Sequence, residues 1–451
     1  MWNDTSAEER SRVKMDGELG RSWMMGKEAF ETHMPHHAGI QALWETKWKS
    51  PCTQSVYPFH DGKYEDFAPI FEHLIAHNIN DGTSAAYTEA FIPTAEALLA
   101  QADEMLASLD KSSDTSDTSD TSDANDQKKK AASDLYLRAC AVYRIARFPH
   151  ITAAPKVNDE VKWRAWQTQK AAYLKATKTW AVPIEEVLVP HIHRRKDVEG
   201  AVSTEGHVIP VYVRLPTAAH TPQAVPVIVL LTGLDGYRPD NTGRCDEFLA
   251  RGWASVVLEI PGTADCPADP ADPTSPERLW DSLLAWMGAF RGVFDMRRIV
   301  VWGLSAGGYY AVRIAHTHRD HLAGSVAQGA GVHRFFEPAW LEQADGHEYP
   351  FQLTPALARM YGYETTAEYV SGALDKFSLL KNGILDQPST RLLLINGTQD
   401  GLMPIEDSML LFEHGSPKEA RFFPGKLHMG YPLANATVYP WIESVMASIN
   451  D

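Results

Sequence analysis

Apolar positions change their spacing part-way along the chain, near Pro183. Before that point they recur every three or four residues, as in DLYLRACAVYRIARF (Asp134–Phe148) and WRAWQTQKAAYLKATKTW (Trp163–Trp180). That period marks one face of a helix. Residues 1–183 therefore predict a helical, aromatic-rich domain with more apolar face than it can bury alone. One stretch interrupts it: KSSDTSDTSDTSDANDQKKK (Lys111–Lys130) holds nothing apolar larger than Ala. Such a segment gains too little from burial to offset the entropy of ordering. The expectation for 111–130 is a disordered surface insertion, with a phosphorylated regulatory tract as the alternative.

From about Ile184 the pattern turns into short, nearly unbroken apolar runs. They are VPVIVLL (Val225–Leu231), ASVVLEI (Ala254–Ile260), RRIVVWG (Arg297–Gly303) and TRLLLING (Thr390–Gly397). Runs of this kind suit strands covered on both faces of a parallel sheet. Helical stretches lie between them, including PERLWDSLLAWMGAF (Pro276–Phe290), and GHVIPVYVRLP (Gly206–Pro216) reads as an antiparallel edge strand. The alternation predicts a doubly wound α/β domain over 184–451, with functional loops at the carboxyl ends of its strands.

Composition narrows the partners. Lys and Arg number 42 against 58 Asp and Glu, so the formal charge is 42 − 58 = −16. No basic surface is available to repay phosphate repulsion, which argues against nucleic acid and anionic membranes as partners. The four cysteines (Cys52, Cys140, Cys245, Cys266) are scattered with no CxxC pair, and reduced buried thiols are expected. MWNDTSAEERSRVKMDGELG (Met1–Gly20) lacks the apolar centre of a signal peptide, and no apolar run approaches the roughly 18 residues of a membrane span. These features predict a soluble, cytoplasmic protein.

The chemistry-bearing residues lie at the strand ends. Ser305 sits in GLSAG between the strand RRIVVWG and the helical AGGYYAVRIAHTH. Strand, G-x-S-x-G and helix in that order form a nucleophile elbow, in which Gly303 and Gly307 leave room for a tight turn. A nucleophilic serine needs a base and an orienting carboxylate, which follow it in chain order in this fold. Asp400 lies in the loop TQDGLMP after a strand, with Glu406 and Asp407 as rivals and a turn aspartate as the plain alternative. Of the histidines downstream, His414 falls in the helical EDSMLLFEH and His428 in the loop KLHMGYP, where a catalytic histidine is expected. Oxyanion donors are assigned to the backbone N–H groups of Ala306 and, in the loop TGLDGYRPD (Thr232–Asp240), of Leu234. Gly233 and Asp235 of that loop and Glu337 in HRFFEPAW are candidate substrate-binding residues. Glu337 would supply a second carboxylate, or is simply a solvated glutamate at a helix start. EIPGTADCP (Glu259–Pro267) is expected to line the site. His150, His191 and His193 lack metal-ligand spacing, and no metal or cofactor is expected.

The combination of TGLDGYRPD, GLSAGGYYAVRIA, NGTQDGLMP and KLHMGY, behind a helical half containing YLRACAVYRIARFP, resembles one α/β-hydrolase group. The group comprises FrsA-like esterases, the bacterial 2,6-dihydropseudooxynicotine hydrolase and the fungal yellowish-green pigment hydrolases. The resemblance implies Ser305, Asp400 and His428 as the triad and a homodimer formed through the helical half. It also implies hydrolysis of a carbon–carbon bond beside a ketone, as in retro-Claisen shortening of an aromatic polyketide in melanin-type pigment biosynthesis. A carboxylesterase, thioesterase or acyltransferase with the same triad is the alternative. A non-catalytic binding protein is a third reading, against which the intact triad speaks.

Overall fold

The structure is a computed structural model that describes residues 23–112, 119–196, 203–216 and 224–449. The N-terminal stretch Met1–Gly20 therefore lies outside the described residues. The strand runs assemble into one eight-stranded sheet in the order β1-β2-β4-β3-β5-β6-β7-β8. The strands are β1 (Glu185–Pro190), β2 (Val208–Arg214), β3 (Val225–Leu231), β4 (Ala254–Leu258), β5 (Phe294–Leu304), β6 (Gly324–Gln328), β7 (Leu392–Gly397) and β8 (Glu419–Phe423). β1 and β2 pair antiparallel, as do β2 and β4, and every pairing from β4 through β8 is parallel. β4, β6 and β7 are buried at every residue, which is what an unbroken apolar run requires when both sheet faces are covered.

β2 is not the edge strand that its sequence suggests. β1 covers its outer side, with Val187 opposite Val211 and Val189 opposite Ile209. In EEVLVP only Val189 is fully buried. A half-exposed edge strand tolerates glutamates and a terminal proline, so it carries little apolar signal.

Helices of the α/β half cover most of one face of the sheet, and the helical half covers part of the other, beside the C-terminal helix Asn435–Ser448. On one face α5 (Ser275–Ala289) and α6 (Ala306–Thr317) place Leu279, Trp280, Leu283, Tyr310 and Ile314 against Val227, Val229 and Val301. On the other, Ile228, Leu230, Val257 and Trp302 share a cluster with Tyr136 and Cys140 of α3 (Ser119–Ala146) and Tyr173 of α4 (Glu160–Thr177). Tyr173 stacks on Tyr212 of β2 at 5.6 Å between ring centroids. A third cluster lies within the helical half, where Trp44, Trp48 and Phe71 meet Ala139, Val142 and Phe148. α1 (Tyr64–Ala76) and α2 (Ile92–Ser112) supply much of it. Among the described residues, no helix is long and apolar enough to cross a membrane.

The polar stretch departs from its expectation. Residues 113–118 lie outside the described residues, but α3 already begins at Ser119 and runs through DANDQKKK into the apolar Asp134–Ala146. Once the packed C-terminal part has nucleated the helix, extending it fixes only one residue at a time. Lys129 pairs with Asp126 at 3.1 Å and Lys130 with Asp134 at 2.8 Å. Each exposed pair adds only about 0.3–0.5 kcal/mol, but in the same direction.

Candidate active site

At the end of β5 the chain turns directly into α6 through Ser305, whose φ of 56° and ψ of −122° are unusual for a residue with a side chain. Such backbone costs about 1–3 kcal/mol and persists only where the surroundings impose it. Here two glycines make the turn possible. A Cβ on Gly303 would stand 2.1 Å from the Gly307 carbonyl oxygen, and one on Gly307 would stand 2.3 Å from that of Thr232. The Ser305 N–H donates to Gln328 O at 2.8 Å, which fixes the turn to β6.

The hydroxyl meets a histidine. His428 Nε2 lies 2.7 Å from Ser305 Oγ, and His428 Nδ1 lies 2.8 Å from Asp400 Oδ2. This pattern assigns the neutral imidazole's proton to Nδ1, leaving Nε2 to accept from the serine. The other Asp400 oxygen accepts the N–H groups of Leu402 and Met403 at 2.8 and 2.9 Å, so a buried carboxylate is held in one orientation. Burial works against the imidazolium, but Asp400, its hydrogen bond and the nearby Glu348 and Asp235 outweigh burial and hold His428 above the ordinary histidine value. The rivals are occupied elsewhere. Asp407 accepts four backbone N–H groups, from Val332, His333, Arg334 and Phe335, and Glu406 accepts that of Met24. His414 follows the helical turn Leu411–Glu413, with its Nδ1 3.9 Å from Asp386.

The loop after β3 runs beside the serine. A Cβ on Gly233 would stand 3.3 Å from that of Ser305, so the backbone passes in contact with the nucleophile. Leu234 and Ala306 are buried, and among the described residues no protein acceptor takes the N–H of either. Two free amides of this kind flanking a serine hydroxyl are what an oxyanion would require.

That loop is anchored by the helical half. Asp240 takes Arg144 Nε at 2.8 Å and Gln169 Nε2 at 2.9 Å on one oxygen, and Arg147 together with the Tyr237 N–H on the other. Arg147 also donates to Asp235 O at 2.5 Å and lies 4.1 Å over the Tyr237 ring. Burial alone would raise the Asp240 carboxyl, but Arg147 and Arg144 bring it down to about 2. Asp235 accepts the Tyr57 hydroxyl at 2.7 Å on Oδ1. EIPGTADCP backs this loop: Glu259 accepts the Arg238 N–H at 2.9 Å and pairs with its guanidinium.

Glu337 is placed at a helix start, ahead of Pro338–Ala344, with its carboxylate 4.0 Å from Arg334. The second carboxylate at the triad is instead Glu348, which sequence reasoning missed. Its Oε1 accepts the His428 N–H at 2.9 Å, and candidate ligand atoms of Glu348, Asp400 and His428 all lie within 4.8 Å of one another. Burial and the charge of Asp400 push Glu348 up to about 7, against the pull of His428 and Lys47. It sits in the loop GHEYP, which has no periodicity and no motif that would flag it. The same trio is the one His/Cys/Asp/Glu cluster with ligand-like spacing among the described residues. Its His428 and Asp400 atoms already share a hydrogen bond with each other, which suits proton transfer. His150 and His191 are buried on Gly262 O and Ser282 Oγ respectively. A hollow of about 310 Å³ lined by His36, Ile40, His150, Lys162, Phe351 and Arg359 contains no triad residue.

Known proteins agree with this architecture. Esterase FrsA of Photobacterium profundum is 24% identical over 326 residues, covering 71% of each chain. Esterase FrsA of Serratia proteamaculans is 24% identical over 317 residues, covering 69% of this chain and 70% of its own. Among solved structures, 2,6-dihydroxy-pseudo-oxynicotine hydrolase superposes with a TM-score of 0.55 at 17% identity, covering 80% of this chain and 86% of its own. AbyA5 gives 0.54 at 20% identity, covering 72% and 87%. At such identities the superpositions establish the fold, which is that of the α/β hydrolases. The family model described as "Esterase FrsA-like" matches residues 118–447, and the chain accordingly belongs to the FrsA-like esterase family of hydrolases.

Proposed function

We propose that the protein cleaves a carbon–carbon bond beside a ketone in an aromatic polyketide, through an acyl-Ser305 intermediate. The observation that carries the reading is the relay from Ser305 Oγ through His428 to Asp400, at 2.7 and 2.8 Å, beside the two unclaimed amides of Leu234 and Ala306. His428 takes the hydroxyl proton as Oγ bonds the ketone carbon, and the carbonyl electrons move onto oxygen. The Leu234 and Ala306 N–H groups hold that oxyanion. Its collapse breaks the carbon–carbon bond. The departing carbon, delocalised into a β-dicarbonyl or polyhydroxylated ring, takes its proton from His428. Water, deprotonated by the same histidine, then releases a short acid from the serine.

Two features support an aromatic, uncharged substrate. Exposed Leu427 and Tyr431 lie on the loop that carries His428 and exposed Tyr57 of the helical half reaches Asp235, and apolar and aromatic side chains bind flat rings. The carboxyls of Asp235, Glu348 and Asp400 cluster around His428, an arrangement that disfavours an anion. A solved neighbour is itself named as a hydrolase of 2,6-dihydroxy-pseudo-oxynicotine. Incubation with a heptaketide naphthopyrone should yield a shortened naphthol and a short acid, and Ser305→Ala should yield neither. Turnover of simple esters alone would replace this reading with that of a carboxylesterase, which the esterase names of the curated relatives favour.

A further inference from the structure

The mechanism above uses Ser305, His428 and Asp400 but leaves Glu348 without a part, although it is 5% exposed and touches the loop that carries the base. One carboxyl oxygen accepts the His428 N–H. The other is buried with no hydrogen-bond partner. A fully ionised carboxylate left in that condition would be costly, and a carboxyl that exchanges a proton with its surroundings near neutrality is the arrangement burial tolerates. The charged groups facing it come from three elements: Asp400 from the loop after β7, His428 from the loop after β8, and Lys47 from the N-terminal helices. His428 in turn faces Asp400, Glu348 and Asp235.

We propose that Glu348 is a positioning residue for His428, holding the backbone of the base in place and adding, when ionised, a second negative charge that raises its basicity. The backbone contact and the charge are separable. The contact belongs to an acceptor of the right length, which Gln retains. The charge belongs to an ionised carboxyl, which Asp retains at shorter reach. Burial and the charge of Asp400 raise the Glu348 carboxyl, so the second charge is present at higher pH and withdrawn at lower pH.

The proposal rests on Ser305 being the nucleophile, and the test separates the two claims. The pseudo-first-order rate of labelling by a fluorophosphonate is measured from pH 5 to 9 for the wild type, Glu348→Gln, Glu348→Asp and Ser305→Ala, with thermal melts for each. In the wild type the rate rises along an acid limb as His428 loses its proton. Glu348→Gln should move that limb to lower pH by about half a unit to one unit, while its plateau stays within about threefold. Glu348→Asp should leave the limb near its wild-type position and lower the plateau about tenfold. A purely structural role would change plateau and melting temperature and leave the Gln limb where it was, and that result overturns the proposal. So does an Asp limb displaced to lower pH by about half a unit or more, which keeps the test decisive should Glu348→Gln not fold. If the wild type takes up no probe, or Ser305→Ala still takes it up, the nucleophile assignment fails instead.

Discussion

The two sides of the candidate active site are held by different parts of the chain. The triad itself is held by contacts within the α/β half, while the loop carrying Glu348 is pinned by His36 and His37 of the helical half. Asn396 Oδ1 accepts the Met429 N–H at 3.1 Å, Gln328 Nε2 donates to Met429 O at 2.9 Å, and Asp400 is oriented by two neighbouring amides. The loop proposed to hold the oxyanion is anchored by donors from the helical half: Arg144, Arg147 and Gln169 converge on Asp240, and Tyr57 reaches Asp235. On the proposed mechanism, proton transfer would rest mainly on contacts around the sheet, whereas stabilisation of developing charge would draw on both halves.

The comparison yields experiments of graded severity. Ser305→Ala should lower hydrolysis by about 10³-fold or more with a melting temperature at or above that of the wild type, because it deletes the nucleophile and keeps the fold. Its rate is checked against the best substrate found. Asp400→Asn should cost about 10³-fold in hydrolysis and slow fluorophosphonate labelling in parallel, since it removes the charge that steadies the imidazolium. On the other side, Asp240→Asn leaves two buried guanidiniums facing a neutral amide. Breaking a buried pair costs about 3 kcal/mol, so unfolding in urea should shift clearly, and kcat should fall about 10–100-fold. The pH midpoint of labelling should move less than in Glu348→Gln, because Asp240 reaches His428 only through the loop that carries Asp235; a midpoint displaced as far would show that the two sides are not separate.

The acid stability profile sharpens the same contrast. The Asp240 carboxyl is lowered in the folded chain to about 2, against an ordinary value of 3.8. A depressed carboxyl contributes stability that is present above its unfolded value and lost as pH falls through its folded value. The contribution, on the order of 2 kcal/mol, should disappear between about pH 4 and pH 2 in the wild type and be missing from that window in Asp240→Asn. The smallest effect belongs to Tyr57→Phe, which removes one hydroxyl from Asp235 and should change kcat/KM only about two- to fivefold.

Legibility in the sequence followed the same divide. Ser305 and Asp400 each follow a strand with an apolar run of its own and His428 lies in a loop behind them in chain order, and the structure brings the three into hydrogen-bond contact. Glu348 has no such signal, because it comes from an irregular loop and reaches His428 only through tertiary packing. Arg144 and Arg147 were visible merely as polar interruptions of a helical pattern; their partner Asp240 lies 93 residues beyond Arg147. The strand Glu185–Pro190 was hidden by its exposed glutamates, and the helix from Ser119 by a composition that no isolated peptide would fold. In both, the packed neighbour supplied what local preference lacked.

The cover that α3 and α4 provide over Ile228, Leu230 and Val257 limits how this chain could be cut or transplanted. Expressed from residue 184 onward, the α/β half would retain every triad residue but present an oiled flank of sheet to water. Exposed apolar faces of that kind drive association. Such a fragment should collect in inclusion bodies rather than yield a smaller enzyme. The helical half is therefore better regarded as one wall of the building than as a lid hinged onto it.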